Sequence, residues 1–189
     1  MSTNFRRFSF QTLSGLALLV LISFLAAPAE AQTTVPLQAG DFEAGFGIGA
    51  TRFDDAVSDD DADYRVEGRG GYFFTDGFEL EVQAARAVGV LDLQLDTAFV
   101  NAVFNFPVGR AVPYVLVGAG GARIDDGGLF EESRTENGTA YQAALGSRFF
   151  FGDSRMAARV ELSSAWENTL DDTSNHLSLT GGLVWRIGR

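Results

Sequence analysis

Two residues near the end of the chain could do nucleophilic chemistry. His176 and Ser178 stand two apart, so in an extended segment a base and a hydroxyl share one face. A triad also needs a carboxylate to orient the imidazole, and no Asp or Glu occurs after Asp172. His176 is the only histidine and there is no cysteine. That excludes a poly-histidine metal site within one chain, a Cys-ligated zinc, a disulfide frame and thiol chemistry. The runs Asp54-Asp55 and Asp59-Asp60-Asp61-Ala62-Asp63 offer oxygen ligands to divalent cations. They lack EF-hand spacing and its turn glycine, so they read first as solvated charge. The other charged residues of interest recur at alternate positions: Glu43, Glu67, Glu79, Glu81 and Glu161 against Arg65, Arg69, Arg148, Arg159 and Arg186. Five of each sign is unexpected in a chain with 14 arginines, no lysine and 25 acids, a net charge of −11. Equal numbers on one face imply pairing in a confined space, because an unpaired buried ion costs several kcal/mol. The acidic total, with no basic cluster, argues against a nucleic-acid partner.

The elements that place these residues are extended. Phe42, Ala44, Phe46, Ile48 and Ala50 alternate with Glu43 and three glycines, the period of a strand with two different faces. The same alternation predicts strands over 42–51, 64–74, 78–84, 97–106, 113–122, 141–149, 158–166 and 177–187. In the fifth, the faces are hard to tell apart. No segment reads as a helix in the mature part. The connections alternate in length: Thr75-Asp76-Gly77, a turn expected to use a positive φ at Gly77, then 107–112 and 152–154 are short. Residues 54–63, 123–138 and 168–175 are long. Short turns on one side and long loops on the other define an up-and-down antiparallel order.

The first residues carry an address. Arg6 and Arg7 precede the apolar stretch Leu13–Ala27, and Ala29-Glu30-Ala31 is a cleavage site; together these are a secretory signal peptide over residues 1–31. Residues 32–189 then form one barrel domain. Strand periodicity does not say which face is inside. Two features do: the balanced ions, which belong in a narrow interior, and the aromatics, which gather at strand ends. Tyr72, Phe73, Phe74, Phe78, Phe104, Phe106, Tyr114, Phe149, Phe150, Phe151 and Trp185 flank the short turns. Phe53, Tyr64, Tyr141 and Trp166 flank the long loops. Two aromatic belts mark strands that cross a bilayer. A closed barrel also pairs every backbone group in lipid, which an open sheet does not. The expected fold is an all-β, eight-stranded antiparallel up-and-down transmembrane barrel.

The signal with Ala29-Glu30-Ala31, the Phe78-Glu79-Leu80-Glu81-Val82 strand, Pro113-Tyr114-Val115 followed by Gly118-Ala119-Gly120-Gly121, and Arg159-Val160-Glu161-Leu162 carry a resemblance. The sequence resembles the small eight-stranded outer-membrane barrels of Gram-negative bacteria, the OmpA/OmpX-like superfamily, over nearly the whole mature chain. That resemblance implies an outer-membrane location, outer-membrane lipid and lipopolysaccharide as surroundings, and no cofactor. It implies a structural or surface-interaction role, with a narrow porin-like channel as the alternative. Interior ion pairs would plug the lumen, and acidic loops, with divalent cations bridging to lipopolysaccharide phosphates, would face outward. His176-Leu177-Ser178 also resembles the His-x-Ser pair of lipid A deacylases, a lesser alternative, since the acid that follows in that family is missing.

Overall fold

A computed structural model describes residues 37–53, 63–88, 94–126, 134–151, 155–168 and 173–188. The acidic run 54–62 and the signal segment lie outside them. Eight strands follow one another: β1 (Phe42–Phe53), β2 (Asp63–Thr75), β3 (Phe78–Val88), β4 (Gln94–Asn105), β5 (Ala111–Asp126), β6 (Arg134–Phe150), β7 (Met156–Asn168) and β8 (Thr173–Ile187). Each pairs antiparallel with the next, and β8 pairs with β1 from Phe42↔Ile187 to Phe53↔His176, closing the barrel. Among the described residues there is no helix.

Burial alternates along β2, β3, β4 and β7 and over much of the other strands, and over most of the barrel the apolar side looks out. Phe46, Ile48, Val82, Val100, Val117 and Leu145 are exposed, while the intervening Glu43, Arg69, Glu81, Gln83, Asn101 and Arg148 are buried. A protein that folded by burying grease away from water would show the reverse.

The strands run longer than the periodicity predicts, mostly toward the long-loop side. There the pattern reverses sign. Arg86, Asp96 and Arg123 point outward, whereas Ala87, Leu95, Phe99, Ala122, Ala140 and Ala165 pack together inside. Where the outer face is charged it no longer meets hydrocarbon, and the barrel is built there like a soluble one.

Two short turns differ in how they close. Gly109, at φ 61°, supplies the left-handed residue of a tight hairpin in which Val108 and Ala111 exchange backbone bonds of 2.8 and 3.1 Å. Gly77 does not adopt a positive φ, contrary to expectation. A register irregularity between Phe73 and Thr75 and a bond from the Gly77 N–H to Thr75 Oγ1 (3.2 Å) shape that turn instead.

Inward glycines let neighbouring strands approach. A Cβ on Gly182 would meet the carbonyl oxygen of Phe46 and the Cα of Gly47 across the β1–β8 seam. Gly182→Ala is therefore expected to destabilise the barrel by about 1–3 kcal/mol. Gly181→Ala, whose Cβ would meet nothing within 4 Å, is expected to be near neutral. Urea titration in lipid vesicles, read by heat-modifiable gel migration, checks both.

Candidate functional site: the barrel interior

The interior is organised in levels along the barrel axis. At the short-turn end lies an apolar floor of Leu37, Phe73, Val112, Phe150, Ala157 and Val184. Above it Arg148, wholly buried, uses all three of its nitrogens. Nε donates to Glu43 Oε1 (2.9 Å), Nη1 to Asn105 Oδ1 (2.5 Å) and Nη2 to Glu79 Oε2 (2.6 Å). The next level is centred on Arg159. Its Nη1 donates to Glu81 Oε2 (2.5 Å), Nη2 to Glu161 Oε2 (2.7 Å) and Nε to the Tyr114 hydroxyl (2.6 Å), which in turn donates to Glu161 Oε2 (2.7 Å). Arg69 joins the same carboxylates, lying 3.1 Å from Glu161 and 3.5 Å from Glu81, and bonds Glu67.

A third level is mostly neutral. Gln83 donates to Glu67 (2.8 Å), Gln142 to Gln83 (2.7 Å) and to Asn101 (2.6 Å), and Asn101 to Glu81 (3.1 Å). Arg65 lies 3.3 Å from Glu67. The lattice runs from wall to wall because the fork of each Arg can serve two or three strands at once. Glycine makes the room for it. A Cβ on Gly71 would strike the Glu79 carboxylate, one on Gly118 the Asn101 amide, and one on Gly146 the Tyr114 ring.

Nine of the ten charged residues singled out from the sequence thus meet in one lattice. Arg186 does not. Its Nε lies 3.5 Å from Asp41 at the short-turn mouth, and it is only partly buried. The central lattice therefore holds four arginines and five glutamates. Glu43, Glu79 and Glu81 lie close enough together to share a cation. Arg148 and Arg159 donate to at least one oxygen of each, while Glu43 Oε2 and Glu79 Oε1 have no hydrogen-bond partner among the described residues; the two guanidinium charges beside these carboxylates oppose a further cation there.

Tyr114 needs correction. Expected in the outer aromatic belt, it is 1% exposed and faces inward. The Arg148 and Arg159 guanidinium carbons stand 4.8 and 4.5 Å from its ring centroid, two cation–π contacts. Phe73 and Phe150 also turn inward, into the floor. The inward direction of Tyr114 follows from the register, since it pairs directly across from the buried Asn105 and directly paired residues share a face; no spacing along the chain encodes that pairing. The side chain of Phe53 lies outside the described residues, and the remaining belt positions face out. Phe42, Tyr72, Phe74, Phe78 and Phe104 form a chain of ring contacts 4.8–5.9 Å apart, and Phe46 stacks on Trp185 at 5.7 Å. Phe106, Tyr141 and Trp166 are exposed and Phe149 is half-buried.

His176 and Ser178 lie near the long-loop end and face inward, at 2% and 0% exposure. The structure supplies a carboxylate that the sequence order hid: Glu167 on β7, with Oε1 3.4 Å from His176 Nδ1. Ser178 Oγ, however, is bonded to Thr51 Oγ1 (2.8 Å). The three residues also stand on the opposite side of the wall from any acyl chain of the bilayer. On the outer face, two shallow grooves of about 770 and 510 Å³ cross β2–β5, where Gly68, Ala84 and Ala98 lower the relief.

No curated protein matches the sequence. Among solved structures, the fold is shared with the N-terminal barrel domain of OprF from Pseudomonas aeruginosa. The TM-score is 0.57 at 18% identity, covering 79% of this chain and 98% of that one. It is shared with Neisserial surface protein A, at TM-score 0.62 and 10% identity, covering 77% and 95%. It is shared too with Ail, the attachment invasion locus protein of Yersinia pestis, solved with the heparin analogue sucrose octasulfate, at TM-score 0.54 and 16% identity, covering 79% and 100%. The family model described as the outer membrane protein beta-barrel domain matches residues 17–186. Closed topology, an apolar outer face, a charged interior and that match together place the chain in the outer membrane, as a member of the outer membrane protein beta-barrel domain family.

Proposed function

We propose that this protein is a non-enzymatic, structural or surface-interaction barrel whose lumen is plugged by its own ion pairs. On this reading the wall anchors the long loops at the outer surface. The observation that carries it is the lattice from Arg148 through Arg159 to Gln142: the Arg159–Glu43 ion pair (3.5 Å) joins the two arginine levels, and Asn101 joins Glu81 to Gln142. An eight-stranded barrel is just wide enough for side chains to fill. A permeant ion would have to displace buried Arg–Glu pairs, and breaking such a pair costs about 3–5 kcal/mol.

The outer surroundings would be lipid and lipopolysaccharide. Acidic segments such as Asp59-Asp60-Asp61 would meet anionic phosphates through bridging divalent cations. Ail crystallised with a polyanion; a chain of net charge −11 would repel one in the absence of such cations. After cleavage of residues 1–31, residues 32–189 would be the functional unit.

Planar-bilayer recording of the purified protein tests the plug. No steady conductance is expected at physiological salt. Stable, ion-selective steps would establish the narrow channel instead.

A further inference from the structure

The five residues before β1 do not lead straight away from the barrel. They turn back across its short-turn mouth. Leu37 is wholly buried in the floor among Phe73 of β2, Val112 of β5, Phe150 of β6, Ala157 of β7 and Val184 of β8. The turn that sends it there uses Gly40 at φ 93°, a conformation that other residues rarely adopt. Four hydrogen bonds hold the segment. Gly40 N–H donates to the Phe73 carbonyl (2.8 Å), Phe73 N–H to the Asp41 carbonyl (3.0 Å), Ala39 N–H to Asp76 Oδ1 (3.0 Å) and Asp41 N–H to the Gln38 carbonyl (3.2 Å). On the other side, the Asp41 carboxylate lies 3.5 Å from Arg186 at the end of β8.

We propose that Leu37–Asp41 is a strap that latches the barrel shut, with Leu37 as its bolt. The reason lies in where the seat comes from. In an unclosed sheet, β1 and β2 stand at one edge and β8 at the other, so Phe73 and Val184 cannot share a pocket. The seat exists only once β8 has paired with β1. A group that binds the closed form and not the open one stabilises closure by that difference in affinity. The strap also bonds to β2 and to β8, the two neighbours of β1. Leu37 further forms a dry floor beneath Arg148, which keeps water from the Glu43–Arg148–Glu79 level.

Because the bolt finds its seat after closure, it acts on opening more than on folding. Removing it raises the unfolding rate and leaves the folding rate nearly unchanged. The chain has no cysteine, so a single introduced thiol reports on the strap. With the full mature chain folded in phosphatidylcholine vesicles, Leu37→Cys is expected to react with a maleimide about 100-fold more slowly than Gln38→Cys, whose side chain is exposed. In concentrated urea the two are expected to react alike. Equal rates in the folded state would overturn the strap. In stopped-flow urea experiments, Leu37→Ala is expected to unfold about tenfold faster or more, with folding within about twofold of the parent. Leu37→Met is expected to restore slow unfolding. An unchanged unfolding rate in Leu37→Ala, or a loss confined to the folding rate, would overturn the latch even if the thiol at position 37 proves protected.

Discussion

Arg148→Met is expected to destabilise the barrel by about 3–5 kcal/mol, the largest loss of any single substitution proposed for this chain. The methionine fills most of the volume, so the loss is electrostatic rather than a cavity. Glu79 Oε2 and Asn105 Oδ1 would be left without a donor and Glu43 Oε1 with only Arg159 Nη1 at 3.5 Å, the two carboxylates lying close together in a site without solvent. Removing the carboxylate charges as well reverses the sign of the second step. Arg148→Met combined with Glu43→Gln and Glu79→Gln is expected to recover stability relative to Arg148→Met alone, because the buried charge no longer lacks a partner. The half-exposed Arg86–Asp96 pair on the outer face has an equally short contact of 2.6 Å, yet Arg86→Ala is expected to cost under about 1 kcal/mol, since solvent screens it. Urea titration in vesicles measures all three. A parent-like midpoint for Arg148→Met would mean that the lattice is incidental to the fold.

The contrast between those two ion pairs also explains what could be read from the residues alone. In β1–β4 and β6–β8, apolar and polar residues alternate over the membrane span, so strand, period and face were all legible. Glu79, Glu81 and Gln83 could fall on only one side of Leu80 and Val82. In β5 both faces are apolar. Val112 and Leu116 line the interior while Val115 and Val117 face out, so period two carries no sign there and Tyr114 was assigned to the wrong side. The outer ends of the strands were missed for a different reason. Beyond the hydrocarbon, the apolar residues move inside, as at Ala87 and Leu95, and charged residues such as Asp96 and Arg123 move out. A search for apolar-out alternation stops where that inversion begins. Partners that depend on register across strands were illegible in principle. Glu167 approaches His176 because β7 and β8 pair with Ala165 opposite His176, and no spacing along the chain encodes that. The same holds for Leu37, whose neighbours come from five strands.

The outward direction of the greasy face carries a second large effect, and it depends on depth. Val82 lies mid-strand on β3, points outward, and is 57% exposed between Gly70 and Val100 on the flanking strands. In a protein surrounded by water, an arginine at such a position would be close to neutral, because exposed substitutions away from special features change stability by about 0.5 kcal/mol or less. In a bilayer it must carry its charge into hydrocarbon or bend its stem toward the interface. Val82→Arg is therefore expected to cost about 2–4 kcal/mol in lipid vesicles. Val88→Arg, on the same face of the same strand but at its long-loop end beside Tyr64, is expected to cost about 0–1 kcal/mol, since the guanidinium there reaches the headgroups. Comparing the two removes strand propensity and side-chain size, which they share, and leaves depth as the variable. Urea midpoints in vesicles that coincide for the two variants would contradict the depth assigned to Val82. A gap of about 1–4 kcal/mol follows only if hydrocarbon lies against the middle of the strand and water lies near its end.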